Sequence, residues 1–121
     1  MRIYYAHPMN TYGSAIEKED IETLAKLGFT VLNPSDEYFQ NSFLKYKQEN
    51  PNNYFQYFSD LVSTCQALAF RAFPGNLIGA GIAAEIKIAE KLGLPIVQLP
   101  CQMNRILTIS ETRTLLKEIG G

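Results

Sequence analysis

Glu85 is an acid set in an apolar stripe, and that makes it the first residue of this chain with a claim to chemistry. Wound at about 100° per residue, positions 81 to 93 gather Ile82, Ile86, Ile88, Ala89 and Leu92 into one arc and set Lys87, Glu90 and Lys91 opposite. Glu85 falls inside the apolar arc. A carboxylate facing a core must be paired, protonated or functional, because burying an unpaired ion is costly. Near the start of its helix the acid feels a dipole that favours its anion and neighbours that disfavour it. Such a group suits a nucleophile or a general base, or a structural acid bonded to a tyrosine or to loop N–H groups.

Other residues could serve the same site. Gly79-Ala80-Gly81 opens the Glu85 helix, where backbone N–H groups can meet an anion, although the turn lacks the third glycine of a dinucleotide fingerprint and the lysine of a P-loop. Tyr4 and Tyr5 alternate to opposite faces of one strand, so one of them can orient Glu85. His7 closes that strand, and Asn10, Thr11 and Ser14 follow in a polar turn. Asp60 lies among Phe58, Leu61 and Val62 and reads by itself as a solvated acid, while Asp36 and Glu37 read as cap or turn residues. Between positions 38 and 58 stand Tyr38, Phe39, Phe43, Tyr46, Tyr54, Phe55, Tyr57 and Phe58, enough rings to fill a core, cover an interface or stack on a planar ligand.

The elements that must position these residues alternate in type. Strands are expected at Ile3 to Ala6, Phe29 to Leu32, Ala67 to Phe70 and Ile96 to Leu99. Helices are expected from Ser14 to Leu27 with Gly28 as stop, from Tyr54 to Thr64 capped by Asn53, through the Glu85 segment to Gly93, and from an N-cap at Ser110 to Ile119. Residues 35 to 53 show no clean period, and Arg105 to Ile109 is read as a short edge strand. Apolar strands between helices describe a small doubly wound α/β domain, Rossmann-like or flavodoxin-like, with a parallel sheet covered on both faces. Ligands of such sheets bind beyond the carboxyl ends of the strands, which here means His7 to Ser14, Asn33 to Asp36 and Arg71 to Gly81.

Composition narrows the partners. The 121 residues suit one domain, and a net charge of -1 argues against a nucleic-acid polymer or an anionic membrane as the main partner. Cys65, Cys101 and the single His7 have no zinc spacing, so neither a metal nor a cofactor is expected, and both thiols read as reduced. The N-terminal apolar run is too short for a signal peptide and no stretch has membrane-spanning length, which sets the expectation of a cytoplasmic protein.

The order of these segments resembles the nucleoside 2-deoxyribosyltransferase-like superfamily, which includes deoxynucleotide N-glycosidases. Ile3-Tyr4-Tyr5-Ala6-His7-Pro8 is similar to its first strand, Gly28 to Pro34 to its second, Asp60 to Phe70 to the helix and strand before the active segment, and Gly79 to Ile96 to the segment bearing a nucleophilic glutamate. The resemblance covers residues 1 to about 100. It implies that Glu85 attacks the anomeric carbon, that Tyr4 orients it, and that Asp60 is an acid near the leaving base. With that activity, Asn10, Thr11, Ser14 and the turn Gly79 to Gly81 are expected to bind sugar hydroxyls or phosphate. The chain departs from the pattern in two extra residues between the glycine turn and Glu85, in Lys87 where many members have glycine, and in Gln66 where aspartate is frequent. The expected activity is cleavage or transfer of an N-glycosidic bond on a small nucleoside or its 5-monophosphate. A non-catalytic nucleotide sensor and an NAD-cleaving glycohydrolase are the alternatives. A homo-oligomer is expected from the aromatic excess and the fold analogy.

Overall fold

A computed structural model describes residues 1–101 and 106–120. In chain order its elements are β1 (Arg2–Ala6), a 3-10 turn (Met9–Thr11), α1 (Ala15–Lys26), β2 (Thr30–Leu32), α2 (Glu37–Glu49), α3 (Gln56–Ser63), β3 (Ala67–Arg71), α4 (Ala80–Lys91), β4 (Ile96–Leu99) and α5 (Ile109–Glu118). The four strands form one parallel sheet ordered β2-β1-β3-β4. This is the doubly wound α/β fold. Tyr4 pairs in register with Leu32 on one side and Leu68 on the other, so the first strand is central and buried from Ile3 to Ala6.

Alternation along the strands builds two cores. Tyr4, Ala6, Leu68 and Phe70 face one side, where Val62, Ile82 and Ala89 of α3 and α4 cover them. Ile3, Tyr5, Ala67 and Ala69 face the other side against Leu24 of α1. Ser14 caps α1 by accepting from the Glu17 N–H, and Gly28 ends the turn after it at φ +92°. A Cβ at Gly28 would meet no atom within 4 Å, so its replacement is a test of backbone conformation alone. Gly28→Ala is expected to lower unfolding free energy by about 1–2 kcal/mol in a urea titration, the cost of a left-handed non-glycine residue.

Four local expectations need correction. The stretch from 35 to 53 contains α2, a full helix whose period is blurred because none of its residues is fully buried and its apolar side chains are split between core and cavity. The next helix begins at Gln56 after Phe55, with no side-chain cap from Asn53. The last helix is capped by Thr108, not Ser110, in a capping box with Glu111 whose geometry satisfies two N–H groups at once. Ile106 to Thr108 form no strand, and Arg105 lies outside the described residues. Helix α5 is exposed at every position but Glu111. No helix among the described residues is long and apolar enough to cross a membrane.

Candidate functional site

The chain leaves β1 toward α1 on one face and leaves β3 toward α4 on the other. Between two neighbouring strands whose connections part in this way a crevice is left, and here it is a cavity of about 450 Å³. That volume lies within the range of small-molecule sites. Tyr4, Ala6 and His7 of the first strand and its exit reach it, as do Ile82 and Glu85 of α4. Phe43 of α2 and Tyr54, Phe55 and Phe58 around the start of α3 supply an aromatic wall, in which the Phe43 and Phe58 ring centroids are 4.6 Å apart. Phe73 closes part of the remaining side. It packs on the turn before α4 so tightly that a Cβ on Gly79 would lie 3.3 Å from its Cε2.

Glu85 is 8% exposed at this cavity. Burial pushes its carboxyl from the ordinary 4.5 to about 7, with the Tyr4 hydroxyl opposing part of the rise. Tyr4 is fully buried, and its hydroxyl makes no hydrogen bond of ordinary geometry, though it stands near enough to Glu85 for each to perturb the other's ionisation. Burial, followed by the negative charge of Glu85, holds the Tyr4 phenol well above its usual range. Tyr12 also lines the cavity, and burial together with Glu85 and Glu17 pushes it up to about 12. At neutral pH the cavity therefore presents one carboxylate near half-ionisation beside the neutral phenols of Tyr4 and Tyr12.

The other expected residues divide. Gly79 and Gly81 line the cavity, while Ala80 begins the helix behind them. The helix start has no side-chain cap. His7 reaches the cavity with its ring stacked on Tyr5 at 3.8 Å, but its Nδ1 lies 2.9 Å from the Tyr5 carbonyl and its Nε2 lies 2.8 Å from Glu17. Both nitrogens are engaged, so His7 positions the loop and has none left for a ligand. Ser14 is occupied as the cap of α1. Asn10, Thr11 and Arg71 line a second cavity of about 360 Å³ that shares Pro8 and Phe73 with the first. Asp60 is exposed, accepts from the Gln56 amide at 2.8 Å and does not line the main cavity. Its place on α3 points it away from the aromatic wall, which disagrees with the role of an acid near a leaving base.

One buried acid, Asp20, and one partly buried acid, Glu17, escaped the sequence reading. Asp20, 2% exposed, accepts from the Tyr5 hydroxyl at 2.5 Å and from Arg71 Nε and Nη2 at 2.7 Å each. It lies four residues after Ile16 and four before Leu24, so the same test that singles out Glu85 applies to it. Glu17 accepts from Ser35 Oγ at 2.7 Å and from the Gly13 N–H at 3.2 Å as well as meeting His7. Burial raises its carboxyl, yet the bonds from Ser35, His7 and Gly13 outweigh burial and hold it below the ordinary range. Nothing in the sequence marks Glu17, because its partners come from the β1–α1 connection and from the loop after β2. Burial also pushes up the thiol of Cys65, which like Cys101 is unbridged. No cluster of three or more His, Cys, Asp or Glu side chains among the described residues could hold a metal ion. No family model, curated protein or solved structure matches the chain.

Proposed function

We propose that this protein cleaves or transfers the N-glycosidic bond of a nucleoside, deoxynucleoside or nucleoside 5-monophosphate, with Glu85 as the nucleophile. The observation that carries the reading is a desolvated glutamate beside a buried tyrosine in a nucleoside-sized, aromatic-walled cavity. The order of motifs that resembles the deoxyribosyltransferase-like superfamily is in keeping with it. In this reading the base stacks among the rings, and a Glu85 oxygen attacks the anomeric carbon as the carbon–nitrogen bond breaks. A glycosyl ester forms, which water or a second base resolves in a double displacement. Tyr4 is a positioning residue whose buried hydroxyl stands near the Glu85 carboxylate and lowers its pKa.

Incubation with a panel of nucleosides and monophosphates, with and without an acceptor base, should release or exchange base. If no base appears, or if Glu85→Ala works as well as the parent protein, the reading is wrong. Attack requires the anion, so kcat/KM should rise with pH and level off above about 7. Tyr4→Phe removes the group that lowers the Glu85 pKa, so this acid limb should move to higher pH while stability changes little, since the lost hydroxyl has no ordinary hydrogen bond. An unmoved limb would remove Tyr4 from the mechanism.

One observation favours a second reading, a nucleotide sensor without turnover. Asp60 lies outside the cavity, and Glu85 is the only carboxylate among the described residues that lines it. Saturable thermal stabilisation by a nucleotide that is never consumed is its signature.

A further inference from the structure

While Glu85 is bonded to the sugar, no second carboxylic acid among the described residues of the cavity is there to protonate the departing base, the Tyr4 and Tyr12 phenols are pushed above their usual range and so are poor acids, and His7 has both nitrogens engaged. A base that leaves without a proton leaves as an anion, so the wall needs a fixed positive charge. α2 supplies one. Gln40, Phe43 and Lys47, spaced three and four residues apart on one helix face, all line the cavity. The Gln40 amide donates to the Pro34 carbonyl at 2.7 Å and so ties this face of α2 to the end of β2. Lys47 Nζ lies 4.9 Å from the centroid of the Tyr54 ring and forms no ion pair among the described residues. The ring contact keeps the ammonium beside the rings that would hold a base.

Resting on the glycosidic reading, we infer that Lys47 stabilises the departing base as its anion and that the substrates are nucleosides of oxo-bases. In uracil, thymine or hypoxanthine the electron pair released from the anomeric carbon spreads onto ring carbonyl oxygens, which an ammonium stabilises. Adenine has no such oxygen. The glycosidic pair passes to the base nitrogen as the Glu85 ester forms. Water then adds to the anomeric carbon, the ester bond returns its pair to the carboxylate, and the water's proton ends on the base. The sum is nucleoside plus water giving sugar plus neutral base, with no oxidant or metal required.

The test compares the parent protein, Lys47→Met and Lys47→Arg on 2′-deoxyuridine, 5-fluoro-2′-deoxyuridine and 2′-deoxyadenosine, each as nucleoside and as 5′-monophosphate. Lys47 is exposed on α2, so both variants should fold. On deoxyuridine, Lys47→Met is expected to lower kcat about 10²-fold, the effect of removing one charge-stabilising donor, with KM little changed. The loss should be smaller on the fluorinated substrate, whose anion needs less help, and smaller again on deoxyadenosine. Lys47→Arg should recover most of the rate. An equal loss on all three bases, no loss on any, or a parent protein that prefers deoxyadenosine overturns the inference while leaving Glu85 as nucleophile. Absence of base release from every substrate by the parent protein removes the glycosidic reading and this inference with it.

Discussion

Glu85→Gln is expected to stabilise the protein while abolishing turnover. The folded chain keeps the Glu85 proton up to about pH 7, whereas the unfolded chain releases it near 4.5. Between those values the folded state binds more protons than the unfolded state, so the parent protein loses stability as pH rises through the window. Above pH 7 the full cost of burying the anion is present, on the order of 3 kcal/mol from the width of the shift. Glutamine fills the same space without a charge. Its advantage should be greatest at pH 8 and should vanish toward pH 4.5, as read by urea unfolding at several pH values. Base release should fall at least about 10³-fold, since the proposed nucleophile has been removed. A variant less stable than the parent at pH 8 would mean that the carboxylate is held by structural bonds, and the proposed nucleophile would lose its physical basis.

The second large effect belongs to the pair that joins α1 to β3. Arg71→Met should destabilise the protein by about 3–5 kcal/mol, because the Asp20 side chain, 3% exposed, would be left as a buried anion with only the Tyr5 hydroxyl to stabilise it. Asp20→Asn should cost less, about 1–2 kcal/mol, because the Arg71 side chain is 19% exposed, opens onto the second cavity, and Tyr5 still finds an acceptor. Combining the two substitutions should recover much of the Arg71→Met loss. The thermal melts of the three variants measure this asymmetry. Equal and independent losses would show that the pair is not coupled.

The alternation of apolar strands with helices was legible because each strand is covered on both faces and each connection returns over the sheet. Glu85 was legible for a related reason, as one charged residue among apolar neighbours at helical spacing. Strand alternation by itself left Tyr4 as one of two tyrosines, and only the resemblance singled it out, since α4 lies over one face and α1 over the other. α2 was hidden because a helix that borders a cavity need not keep a clean apolar stripe. Asp20 was missed although its pattern matches that of Glu85, whereas Glu17, Tyr12 and Lys47 take their places from loop and ring contacts that helical spacing does not mark. Arg71 and Asp60 show the converse. Both stand on elements that border the crevice, yet one turns to a buried acid and the other to solvent, a choice made by packing that spacing cannot express.

The strand order sends the connection from β2 to β3 past β1, and this connection carries Phe43, Lys47, Tyr54, Phe55 and Phe58. Glu85 is carried by the later connection from β3 to β4. Neither stretch contains a strand. The aromatic wall and the proposed nucleophile are therefore carried by different connections. The two meet where Val62 of α3 packs with Ile82 and Ala89 of α4 in one core, so a substitution at Phe43 or Phe55 changes the cavity wall without touching the carboxylate or Tyr4.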